Sequence, residues 1–171
     1  GYIVTANNAV VDDDYRYFLS ADWAPGYRAR RIVEMIDGLE SITLEDIPPM
    51  HGDPQLLYAV DVLPYILAVQ PIFAIDDILL DLLRSWDGYA WRDSVPAMIF
   101  EAMRVHLFTR TFGDELGEQL LDRSRSDLLI ALNNILPITD SEWFDDIFTE
   151  EVETRDQIIL LALEDTVEEL T

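Results

Sequence analysis

Two side-chain amides, Asn7 and Asn8, stand together at the end of the opening run GYIVTANN, and an acid run, VVDDD, follows them at once. A carboxamide donates and accepts hydrogen bonds while carrying no charge. If the run is a strand, adjacent residues face opposite ways, so only one of the two amides can serve a given site. Other chemistries find little support. The nucleophile elbow GxSxG is absent. His51 lies in the loop PMHGD and His106 in a helical stretch, neither within HExxH, so ordinary packed or surface roles are expected for both. Acids pair at Asp12 to Asp14, Asp76 with Asp77, Asp145 with Asp146 and Glu150 with Glu151, but neighbours along a helix do not converge on one point. Seven glycines form no phosphate-binding loop. The chain carries no self-sufficient active site.

All 11 basic residues are arginine, set against 34 acids, for a formal charge of −23. Such a chain repels phosphate backbones and anionic membranes, which argues against nucleic acid and membrane surfaces as partners. An acid excess without lysine fits adaptation to concentrated salt, where screening removes self-repulsion that would strain the fold in dilute buffer. No cysteine is present, so disulfides, thiolate nucleophiles and thiolate metal sites are excluded. No apolar run reaches the roughly 18 residues of a membrane span, and a soluble chain is expected. Half the residues are hydrophobic, which suits either an ample helical core or faces meant for a partner.

These residues need elements to hold them. The run Tyr2, Ile3, Val4 predicts a short buried strand over residues 1–8. Helices follow. One covers YRARRIVEMI between Gly26 and Gly38. Thr43 with Asp46 starts a brief segment that Pro48 and Pro49 close, and Asp53-Pro54 opens an apolar run from Leu56 to Val69 that Pro64 kinks or breaks. Pro71 to Trp86 reads as a helix stopped by the turn Trp86-Asp87-Gly88. Asp93 and Ser94 cap a long helix, VPAMIFEAMRVHLF. Shorter segments at 116–121, 127–136 and 141–148 lead to a last helix from about Thr154 to Leu170, with Ile158, Leu161, Ala162 and Val167 inward. No repeat or linker divides the chain, so residues 1–171 read as a single segment. It is mainly α with a short N-terminal β-strand. A lone strand leaves its backbone groups unpaired. Its sheet should therefore lie elsewhere.

GYIVTANNAVVDDDYRYFLSADWAPGYRARRI resembles the segment of the penicillin acylase family in which an Asn-Asn pair is followed by an aromatic run and an arginine cluster. LLRSWDGYAWRDSVPAMIFEAM and LALEDTVEEL resemble its WDG turn with the following helix and its helix near the C-terminus. The resemblance covers nearly the whole chain and is weakest between about Thr109 and Arg155.

The resemblance implies a fragment of an αββα N-terminal-nucleophile hydrolase. In such enzymes a serine exposed by self-cleavage attacks an amide carbonyl, and its own α-amine serves as base. The oxyanion needs preorganised donors, and a neutral amide supplies one without the cost of desolvating a cation. By the family pattern Asn7 matches the oxyanion donor. Arg31, the last arginine of RARR, matches an arginine that orders the site, the plainer reading being a surface arginine paired with Asp37 or Glu34. Asp22 matches a ligand of the family's structural calcium; no cofactor is implied for catalysis. Gly1 carries no nucleophile, so the serine, most sheet strands and the acyl pocket are expected upstream. The expected partners are the remainder of the parent enzyme, comprising the upstream catalytic segment and a small chain, and a small acyl amide such as a penicillin-type side chain or an acyl-homoserine lactone. Export of the parent follows from the same resemblance. The fragment is expected to be inactive alone and to self-associate. The alternative is an acidic helical interaction module from a non-catalytic family member.

Overall fold

The computed structural model describes residues 1–12, 14–123 and 125–171, without the side chains at 118 and 120–126. Asp13, in the middle of the acid run after the asparagines, lies outside the described residues. Among the described residues seven α-helices follow one another: α1 (Tyr27–Asp37), α2 (Ile47–His51), α3 (Leu57–Ile66), α4 (Ala74–Arg84), α5 (Val95–Arg123), α6 (Arg125–Ile135) and α7 (Arg155–Leu170), with one 3₁₀ turn at Glu142–Phe144.

Helices α5 and α7 form the centre. Phe100, Met103, Leu107, Phe108 and Phe112 recur at three- and four-residue steps on α5 and are buried against Ile158, Ile159, Ala162 and Leu163 of α7. Leu79, Leu80 and Leu83 of α4 and Val62 and Ile66 of α3 close the same core. The expected inward set on α7 shifts slightly, since Leu161 and Val167 are half-buried while Ile159 and Leu163 are buried. Gln157 accepts from the backbone N–H of Thr154 at 2.8 Å, which starts α7 where the sequence places it.

Three local expectations are corrected. Pro48 and Pro49 open α2 instead of closing a segment, because first-turn residues have no intrahelical use for the N–H that proline lacks. Thr43 still pairs with Asp46, whose Oδ2 accepts from the threonine N–H at 2.7 Å and hydroxyl at 2.8 Å. Pro64 sits inside α3, which ends two residues later at Ile66, so the apolar run to Val69 is not one helix. The long helix α5 reaches Arg123 but turns non-helical at Gly117, whose φ of 67° is a conformation glycine adopts without steric cost.

Among the described residues no strand forms, and residues 1–25 contain neither helix nor strand. The run expected to be a buried strand is open to solvent, with Ile3 93% exposed. The physical reason is pairing. A strand satisfies its backbone through a neighbour, and the described chain offers only an isolated antiparallel bridge, Gln55 with Tyr89. No helix among the described residues is long and apolar enough to cross a membrane.

Candidate functional site

Asn7 is the one non-glycine residue among those described with a left-handed backbone, φ 62°. Asparagine tolerates that region better than most residues, and such strain persists where neighbours hold it. Here the Asn7 carbonyl accepts the Ala24 N–H at 2.8 Å, which folds the segment back toward the start of α1. From the first turn of α1, Arg28 reaches back. Its Nη2 donates to the Ala6 carbonyl at 3.0 Å and to Asn7 Oδ1 at 2.9 Å.

A guanidinium only donates, so the amide atom facing Arg28 is the oxygen, and the NH₂ of Asn7 is turned the other way. Asn7 is itself exposed. Asn8 is used locally: its Oδ1 accepts the Ala6 N–H at 3.0 Å and its Nδ2 donates to the Ala9 carbonyl at 2.8 Å. The pair thus divides its work, with one amide spent on the turn and the other presented outward.

Arg31 does not contact Asn7. Its Nε and Nη2 fork onto the two oxygens of Asp53 at 2.7 and 2.8 Å, with a longer bond from Nη2 to the Tyr89 hydroxyl at 3.3 Å and one from Nη1 to Glu34 at 3.4 Å. Its main partner is thus Asp53, which neither the site role nor the surface pairing with Glu34 or Asp37 anticipates. The fork, partly shielded with side chains 21% and 12% exposed, holds the Asp53 carboxyl below the usual aspartate range and the Arg31 guanidinium above its own. The residue missed from the sequence is Arg28. RARR offers three arginines within four positions, and spacing alone does not say which one faces the asparagine.

Asp22 is exposed, and its backbone is occupied by Ser20, whose hydroxyl donates to the Asp22 carbonyl and accepts the Asp22 N–H, both at 3.0 Å. One carboxylate does not make a calcium site, which needs six to eight oxygens. Among the described residues no group of three or more histidines and acids converges to hold a metal.

Beside Arg28 and Arg31 a cleft of about 290 Å³ opens between α1 and α3, walled by Ile32, Met35, Met50, Leu56 and Tyr58. Asp53 and Gln55 also line it. The site is therefore a neutral amide with its acceptor side fixed, one cation beside it, and a second cation neutralised a helical turn away.

The body is mainly helical and presents the Asn7 carboxamide at its surface with the amide oxygen held by Arg28. A profile of the penicillin amidase family matches residues 1–171, and the chain belongs to that family. It is also similar to the penicillin acylase 2 proenzyme of Pseudomonas sp. (strain SE83), with 43% identity over 53 residues, 31% of this chain and 7% of that protein. The matched stretch thus spans a small fraction of that relative's length.

Proposed function

We propose that this chain is the amide-bearing, mostly helical part of an acyl-amide hydrolase of the N-terminal-nucleophile type, and that Asn7 Nδ2 is one of its oxyanion donors. A serine elsewhere in the parent would add through its hydroxyl oxygen to the amide carbonyl carbon, giving up its proton to its own α-amine. The carbonyl oxygen then carries the negative charge, which a fixed N–H stabilises most when the donor is aimed before reaction begins. Collapse breaks the C–N bond, the proton passes to the leaving amine, and water later releases the acyl group from the serine.

The observation that carries the reading is the hydrogen bond from Arg28 to Asn7 Oδ1. It fixes which end of the carboxamide is offered and draws electron density toward the oxygen, which makes the NH₂ a better donor. Family membership supports the reaction class. The exposed apolar residues Tyr2, Ile3, Tyr17, Phe18 and Leu19 support a missing neighbour, and the N-terminal run would pair with strands of the parent's sheet. Arg31 acts one step behind Arg28. Asp22 would supply at most one ligand of a structural calcium whose other oxygens come from outside this chain.

The test is made in the complete parent. Asn7→Ala should lower kcat on an acyl anilide by about a hundredfold while circular dichroism shows the fold retained. Unaltered turnover removes Asn7 from the role. A parent with no serine at a self-cleavage point favours the interaction module instead.

A further inference from the structure

The fork from Arg31 to Asp53 lies where it can govern the amide without touching it. Arg28 and Arg31 are three residues apart and so share one side of α1, a turn from each other. Arg28 holds Asn7, and Arg31 holds Asp53. Helix α1 buries little of itself, Ala29 being its single buried residue. Ile32, Val33, Met35 and Ile36 are only half-buried, so polar tethers share with this partial apolar contact in setting its seat. The Arg31 fork is the tightest ionic one, since Arg30 reaches Asp61 and the Leu57 carbonyl only at 3.4 and 3.3 Å.

Asp53 is in turn fixed to the core. The segment from Pro54 to Leu56 runs beside the turn after α4: the Leu56 N–H donates to the Gly88 carbonyl and the Ala90 N–H to the Pro54 carbonyl, both at 2.9 Å. Gly88, at φ 80°, makes that turn where a side chain would be strained. Trp86 donates its indole N–H to the Tyr89 carbonyl at 3.0 Å and packs its ring 5.3 Å from buried Phe100. The Tyr89 hydroxyl meets Arg31 from the same ribbon.

We infer that Asp53 is a positioning residue for the reaction: through the fork to Arg31 it sets the seat of α1, and with it the reach of Arg28 to Asn7. The inference rests on the oxyanion reading of Asn7. It adds that the accuracy of the amide is inherited from the core by way of Trp86, Tyr89, Asp53 and Arg31. Neutralising Asp53 also leaves Arg31 with only its longer bonds to Glu34 and the Tyr89 hydroxyl, on the side of α1 that it shares with Arg28.

A double-mutant cycle in the complete enzyme, assayed on an acyl 4-nitroanilide, tests this. Asp53→Asn should lower kcat about tenfold with KM within about twofold, a loss typical of small misplacement from outside the chemistry. In an Asn7→Ala background the same change should cost almost nothing, because its route to the reaction has been removed. Asp53→Glu, which keeps a carboxylate for the fork, should recover most of the activity. An unchanged kcat in Asp53→Asn overturns the inference, as does a loss that multiplies with that of Asn7→Ala. Should Asp53→Asn not fold, Arg31→Lys, which loosens the fork from its other end, enters the same cycle, and a multiplying loss or an unchanged kcat there overturns it equally. If Asn7→Ala itself leaves kcat intact, the oxyanion reading falls, and that result is distinct from one in which Asn7 matters and Asp53 does not.

Discussion

One nitrogen of Arg28, Nη2, donates both to the Ala6 carbonyl and to Asn7 Oδ1, at 3.0 and 2.9 Å. A single planar group thereby fixes the backbone before the asparagine and the side chain of the asparagine together. Lysine can match the charge but offers no fork of fixed geometry.

Arg28→Lys in the complete enzyme should therefore lower kcat by about tenfold while KM changes little, since only the aim of a transition-state donor is loosened. Steady-state kinetics decide it. A rise in KM with kcat intact would place Arg28 in substrate binding and remove it from the aiming of the amide.

The helices were legible in the sequence because α5 and α7 carry apolar residues at the helical period over several turns, from Phe100 to Phe112 and from Ile158 to Thr166. The N-terminal strand was read from the same kind of pattern, yet β-structure needs a second segment, and none of the described chain pairs with residues 1–8. The prolines of α2 misled for a related reason, since proline stops a helix interior but suits its first turn. At the site Asn7 was legible as a type and a neighbour pair. Arg28 was not, because the spacing within RARR does not say which arginine faces Asn7, and the partners that occupy Arg31, Asp53 and Tyr89, lie 22 and 58 positions further along.

The ion pair of Arg31 with Asp53 has a defined pH signature. The Arg31 hydrogen bond, ahead of its charge, depresses the folded-state value of Asp53 despite partial burial. A depressed carboxylate contributes stability that is complete above the unfolded value near 4 and is lost as pH falls through the folded value. Asp53→Asn should thus be less stable than the parent sequence at pH 7, and the two should converge in acid. Thermal melts across pH 2 to 7 measure this; a gap that persists at the acid end shows that the aspartate acts by something other than its charge.

Glu115 gives the opposite sign. Partial desolvation of a side chain that is otherwise exposed, then a hydrogen bond with Asp114 and its charge, raises its carboxyl to about 7. Asp114 is engaged as well, accepting the Ile147 N–H at 2.8 Å. A raised acid binds its proton more tightly when folded, so stability present below about 4.5 declines as pH rises through about 7. Glu115→Gln should raise the melting temperature at pH 8 and leave it unchanged at pH 4. Equal effects at both values would mean the glutamate's shape, not its ionisation, matters there.

Salt should separate local pairs from the overall charge. Screening weakens exposed pairs such as Arg30 with Glu34 and Arg84 with Asp81, but pairs of this kind contribute little individually. The repulsion among 34 acids facing 11 arginines is distributed over the whole surface and shrinks as the screening length falls to roughly 3 Å at 1 M. The second effect should win, and the melting temperature should rise between 0.05 M and 2 M KCl. A fall would show that the ion pairs, among them the Arg31 fork on Asp53 and the fork from Arg110 onto both oxygens of Asp165, outweigh the acid excess.

The N-terminal run supplies the sharpest test of incompleteness. Within this chain Ile3 is open to water and no ladder protects Tyr2 to Thr5. Their amides should exchange with deuterium at nearly the rate of an unstructured peptide when the 171-residue chain is studied alone. In the complete parent the same amides should be slowed by orders of magnitude, because a strand within a sheet must open before it exchanges. Dilution adds a control: if copies of the chain cover this edge for one another, protection will fade as concentration drops, and size-exclusion elution will shift with it. Fast exchange that persists in the parent would leave the run a surface arm, and Asn7 would then have no neighbouring strand to bring a nucleophile toward it.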